Sequence, residues 1–146
     1  MEVCAVAPPR VRADLLPMIA TTDSTISTKY AAGLFDGEGY VGLSKDGPRL
    51  RLRLEVSGCF KPALEKLARR WGGAVYRDKR KDPAWRTEWK WNLNGRGDIA
   101  RFCSEVQPYL LEKREQVGLV LAMLGGNVSR EMADAELRRM KRVDWN

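Results

Sequence analysis

Two acids, Asp36 and Glu38, stand close together in TISTKYAAGLFDGEGY (residues 25–40), among the small residues Ala31, Ala32, Gly33, Gly37 and Gly39. The segment reads as a helix that runs out at the glycines. At a helix C-terminus the last carbonyls lack intrahelical partners and the dipole presents its negative pole, so a cation is favoured there. Glu38 beside the Gly37 carbonyl then offers hard oxygens of the kind Mg²⁺ prefers. A DGEG turn after a helix is more commonly plain punctuation, so taken alone the segment is open to both readings. Histidine is absent from all 146 residues, which excludes Ser-His-Asp triads, Cys-His dyads and histidine-metal nucleases. Catalysis by this chain would rest on carboxylates, lysine, backbone and metal.

The same helix carries a second signal. Gly33 and Gly37 are four residues apart and share one face, where the lack of side chains lets another helix approach until backbones touch. Each glycine costs a helix interior about 1 kcal/mol relative to alanine. Close helix pairing is the natural return for that loss.

The elements that must hold this helix follow from hydropathy period. Residues 49–57 (RLRLRLEVS) alternate strictly, with Leu50, Leu52, Leu54 and Val56 on one face and Arg49, Arg51, Arg53, Glu55 and Ser57 on the other. This is the pattern of a half-buried strand with an arginine face. Residues 40–45 pair with it through the turn Asp46-Gly47-Pro48. Residues 74–79 and 85–92 read as two more strands, joined by a turn at 80–84. In the last strand Trp85, Thr87, Trp89 and Trp91 share the core phase, opposite Arg86, Glu88, Lys90 and Asn92. Helices are expected within 61–73, entered at Pro62 and left at Gly72-Gly73; from Asp98, acting as cap, to about residue 106; from about Pro108 to Leu124; and from Ser129 to about Lys141. The order predicts an α+β domain with helices packed on the apolar face of an antiparallel sheet, the polar face being left for a partner. Residues 1–23, with three prolines and no period, are set apart as an arm of uncertain order, and 24–146 as a single domain.

Charge identifies the kind of partner. The chain is net +7, yet residues 45–91 alone hold 14 Lys and Arg against 6 Asp and Glu, a local +8. A cationic zone coinciding with an alternating strand suits phosphate backbones, where binding releases condensed counterions. The candidates to face such a partner are Arg49, Arg51, Arg53, Glu55, Arg77, Lys79, Arg86, Glu88 and Lys90. Cys4, Cys59 and Cys103 are widely spaced and form no CxxC pair, so reduced thiols are expected in an intracellular protein of a prokaryotic cytoplasm or an organelle. No membrane span and no organic cofactor are expected.

AAGLFDGEG at 31–39 resembles the signature of the LAGLIDADG homing endonucleases. Ala32, Gly33, Leu34, Asp36 and Gly39 match outright, Phe35, Gly37 and Glu38 are familiar replacements, and Ala31 is the looser position. QPYLLEKREQ at 107–116 resembles the start of a later helix of that family, so the likeness extends over about residues 25–124. It implies an αββαββα(α) fold whose saddle-shaped sheet lies over the DNA major groove. With one signature per chain it also implies a C2 homodimer paired through Ala32, Gly33, Asp36 and Gly37.

By the same resemblance Glu38 is the metal ligand, with the Gly37 carbonyl as its companion, for Mg²⁺ or another divalent ion such as Mn²⁺. Asp36 is structural, and Lys113 is the basic residue that polarises the solvent network or the scissile phosphate. The family's polar water-orienting residue falls at Ser57 or Gly58, and Lys61 matches a neighbouring basic residue. The expected reaction is hydrolysis of both strands of a long, roughly palindromic duplex site, by in-line attack of water without a covalent intermediate. The alternative on the same fold is a non-cleaving binder, such as an intron maturase or a regulator. A third, a basic protein-interaction domain, would lack steep salt dependence.

Overall fold

The computed structural model describes residues 25–79 and 86–142; the N-terminal arm and the turn at 80–84 lie outside the described residues. Helix α1 spans Thr28–Glu38 and is capped by Ser27, whose hydroxyl accepts from the Tyr30 N–H at 3.1 Å. It passes directly into strand β1, Gly39–Asp46. Only glycine fits the junction, because a Cβ on Gly39 would run into the ring and carbonyl of Phe35. Strand β2, Arg49–Gly58, returns through a tight turn in which Gly47 has φ +62°.

Helix α2 spans Lys61–Trp71, with Pro62 in its first turn. Strands β3, Ala74–Arg77, and β4, Trp89–Leu93, follow. Helix α3, Arg96–Val106, leads through a 3₁₀ turn at Gln107–Tyr109 to α4, Arg114–Leu124, and then α5, Arg130–Lys141. The Ser129 hydroxyl caps α5, as the sequence suggests, accepting from the Met132 N–H at 3.2 Å.

Three boundaries differ from expectation, apart from β3, which stops at Arg77 instead of residue 79. Asp98 sits inside the first turn of α3, where its charge suits the dipole, and Gly95 is the N-cap. The helix expected from Pro108 is interrupted: Pro108 lies in the 3₁₀ turn, and α4 begins only after Lys113. The cause is Asp36, whose two carboxylate oxygens accept the backbone N–H groups of Leu111 and Lys113. The fourth strand begins at Trp89, since residues 86–88 are not in the sheet and Trp85 lies outside the described residues.

The four strands are antiparallel in the order β1-β2-β4-β3. Leu52, Leu54 and Val56 of β2, Val41 and Leu43 of β1, and Trp91 and Leu93 of β4 are buried beneath the helices. The α+β fold with helices on one face is therefore as predicted. At its centre the Phe102 ring meets Phe35, Trp71 and Trp91 edge to face, with centroids 5.5, 4.9 and 5.2 Å away. Such pairs add roughly 0.5–1.5 kcal/mol each beyond burial. Both indoles are satisfied, Trp91 Nε1 donating to the Gly72 carbonyl at 2.8 Å and Trp71 Nε1 to Glu105 at 3.2 Å.

Arg70, at the end of α2, fixes the start of α1 by donating to the Ile26 carbonyl at 2.8 Å and the Thr28 hydroxyl at 2.6 Å. The far end of α1 is tied by Asp36. Cys103 is a free thiol buried in this core, which pushes its pKa up to about 12. Cys59, just beyond β2, is disulfide-bonded, against the expectation of reduced thiols; Cys4 lies outside the described residues. No helix among the described residues is long and apolar enough to cross a membrane.

Candidate nucleic-acid interface and active site

Helix α1 turns one side inward and leaves the other bare. Ala31, Ala32 and Phe35 are buried against the sheet and α3, while Tyr30, Gly33 and Gly37 are exposed. A methyl group added to Gly33 or Gly37 would meet nothing within 4 Å in this chain. The glycine stripe thus points away from its own core. Ala32 does not share it: expected at an interface between copies, it is fully buried in its own chain, because it follows Ala31 on the arc that faces the sheet.

Asp36 and Lys113 lock the end of α1 to the start of α4. Asp36 accepts from the Leu111 N–H at 2.7 Å and the Lys113 N–H at 2.9 Å, and Lys113 Nζ donates back to the Asp36 carbonyl. Each charge opposes a helix end of the other sign: a carboxylate at the N-terminus of α4 and an ammonium at the C-terminus of α1. Both Asp36 oxygens are therefore engaged within their own chain, as a structural residue's would be, on a side chain that stays half-buried. Lys113, expected from the resemblance at the reacting centre, lies at the helix end that carries Gly37 and Glu38.

Glu38, the last residue of α1, is exposed. Among the described residues no three His, Cys, Asp or Glu side chains come together as a metal site. One carboxylate and the Gly37 carbonyl are hard-oxygen donors that fit Mg²⁺ in kind and fall short of its octahedral set in number.

The opposite face of the sheet is polar. Arg49, Arg51, Arg53, Glu55 and Ser57 project from β2 with the predicted period, and Lys90 and Asn92 from β4 share their side, since Ser57 pairs with Lys90 and Glu55 with Asn92. Arg53 forms one wall of a groove of about 330 Å³ that also involves Ser44, Arg51, Asn92 and Asn94.

Several expected contact residues sit differently. Arg77 pairs with Trp89, so it has the helix-side phase, and Ala74 and Tyr76 are the β3 residues on the polar face. Val75 sets that phase by pairing with Trp91 in the core. Lys79 is exposed beyond the end of β3, and Arg86 and Glu88 precede β4. Glu55 is buried, at 7% exposure, and ion-paired to Arg53. Lys61 leaves the polar face altogether, its ammonium lying 4.3 Å from the centre of the Trp89 ring. Ser57 has the polar phase and Gly58 the opposite one, so of the two only Ser57 offers a side chain there.

Tyr40, which pairs with Glu55, was not anticipated on this face. Its ring leans over Gly42, where a Cβ would collide with it, and carries the Lys141 ammonium of α5 at 4.0 Å. Lys141 also donates to the Val41 carbonyl at 2.6 Å, and its burial lowers its pKa. Nothing local in residues 130–141 signals this; it depends on α5 lying along the β1 edge, where it also shields an open strand.

No family model matches the chain, and no curated protein does. Solved structures do resemble it. The homing endonuclease I-CvuI, in complex with its target in the presence of calcium, has a TM-score of 0.63 at 19% identity, covering 82% of this chain and 84% of that one. The archaeal intron-encoded homing endonuclease I-Vdi141I, complexed with DNA, has a TM-score of 0.64 at 15% identity over 82% and 86%. The meganuclease I-SmaMI, bound to uncleavable DNA, has 0.59 at 16% identity over 94% of this chain and 53% of that one. Signature, element order and tertiary likeness coincide: this chain has the fold of the LAGLIDADG homing endonucleases.

Proposed function

We propose that the protein is a site-specific endonuclease that cuts both strands of double-stranded DNA as a homodimer with Mg²⁺ or a similar divalent ion. The observation that carries this reading is the unpartnered face of α1, bare at Gly33 and Gly37 and ending at the exposed Glu38. Two such faces packed together would bring two Glu38 carboxylates beside one dyad, one for each DNA strand. The likeness of this chain to about half of I-SmaMI supports a paired unit.

Glu38 and the Gly37 carbonyl would hold the ion, which when bound supplies charge stabilisation to the attacking and leaving oxygens of the phosphodiester. Lys113, anchored on the Asp36 carbonyl, places a fixed positive charge at the same helix end and favours the developing negative charge of the transition state. Arg49, Arg51, Arg53 and Lys90 on the polar face engage the major groove and the phosphates. Arginine there can take two guanine acceptors, and half or more of all contacts go to the backbone.

The test incubates the full chain with a library of long duplexes, with and without Mg²⁺, and sequences new ends. Cleavage with Mg²⁺ that stops on chelation, and is lost in Glu38→Gln while salt-dependent binding persists, is the expected result. Binding with no cleavage at any site would instead identify the non-cleaving relative of the same fold.

A further inference from the structure

Glu55 is the one buried polar or charged residue among the described residues, and it lies on the face proposed to read DNA. We infer that Glu55 is a positioning residue: it holds the Arg53 guanidinium ready for a single guanine in each half-site and touches no base itself. The inference rests on the DNA-binding reading above.

Its neighbours explain the arrangement. Across the sheet Glu55 is flanked by Tyr40 on β1 and Asn92 on β4, with Arg53 and Ser57 two residues away on its own strand. Enclosed in this way it retains 7% exposure, too little for a carboxylate to reach into a groove and accept from cytosine. A buried charge is tolerated only when paired, and the partner is Arg53. The residue opposite Arg53 on β1 is Gly42, and the space above that glycine is taken by the Tyr40 ring and the Lys141 ammonium.

The guanidinium carries five donors in a rigid fork, so one nitrogen can be held by the carboxylate while others remain for a base edge. Arg53 borders the polar groove and is partly exposed, its side chain 42% accessible against 10% for Glu55. Holding a long side chain in its bound rotamer before DNA arrives reduces the ordering cost of the contact. The pairing also masks a negative charge that would otherwise repel phosphates.

Competition binding of the full chain to duplexes randomised at one base pair at a time tests this, comparing the parent with Arg53→Ala, Arg53→Lys and Glu55→Gln. The parent should prefer guanine at one position per half-site, and Arg53→Ala should lose that preference. Glu55→Gln should lose it at the same position, by roughly 5- to 150-fold in discrimination, while affinity for unrelated duplex at low salt rises, because one acid is gone and Arg53 is freed. Simple structural damage would lower both affinities, which separates the two effects. Arg53→Lys keeps the charge without the fork and should lose the preference even with Glu55 intact. A preference lost at a different base pair in Glu55→Gln, or a profile identical to the parent's, would overturn the positioning role. A parent that binds no duplex at all would overturn the DNA reading itself, and this inference with it.

Discussion

Replacing Asp36 tests the link between the end of α1 and the rest of the fold. Its carboxylate accepts two backbone N–H groups, at 2.7 and 2.9 Å, from residues 75 and 77 positions away. Hydrogen bonds to a charged group contribute about 1.5–3 kcal/mol each, and removal of a helix-capping acceptor costs about 0.5–2 kcal/mol. Asp36 is half-buried, so the lower end of each range applies, and Asp36→Ala should destabilise the chain by about 2–3 kcal/mol. For a protein of this length that is roughly an 8 °C fall in melting temperature. Asp36→Asn should cost less, about 1 kcal/mol, because one oxygen can still accept while the amide NH₂ faces an N–H donor.

Denaturant unfolding checks these values, and sedimentation run beside it separates two causes. A role within the chain lowers the unfolding free energy and leaves the dimer dissociation constant of folded protein unchanged. A change smaller than about 0.5 kcal/mol, the ordinary range for surface substitutions, would refute the reasoning. So would an effect confined to dimer dissociation, which would return Asp36 to the interface.

Gly33→Ala should raise the unfolding free energy of the single chain by about 1 kcal/mol, since a methyl there meets nothing within 4 Å, and should weaken self-association measured by sedimentation; pairing left intact would dissociate the dimer proposal from this helix. Cys103 predicts alkaline sensitivity. Its folded pKa of about 12 stands above the ordinary 9.0, so the unfolded chain alone gives up the proton in that window, and stability should fall above pH 9 by up to about 1.4 kcal/mol per unit. Unfolding at several pH values in the parent and in Cys103→Ala measures the difference, and equal slopes in the two would count against it.

How much of this was legible in the chain depended on whether the information was local. Strict alternation in residues 49–57 identified β2 and the outward phase of its arginines, and Pro62 and Ser129 mark helix starts by local chemistry that needs no partner. The glycine spacing announced a bare helix face. Other features depended on residues far apart in sequence. Asp36 interrupts a helix that periodicity alone would run through Pro108, and Val75 sets the register that turns Arg77 to the helix side.

Sequence by itself therefore determined the class of fold, the cationic sheet and the helix bearing Asp36 and Glu38, because hydropathy period, capping and charge are properties of neighbours along the chain. Tertiary structure alone decided that Ala32 is core while Gly33 is open, that Glu55 is buried against Arg53, and that Lys141 reaches Tyr40. Those outcomes follow from strand register and helix rotation, which arise only when separate elements share one core.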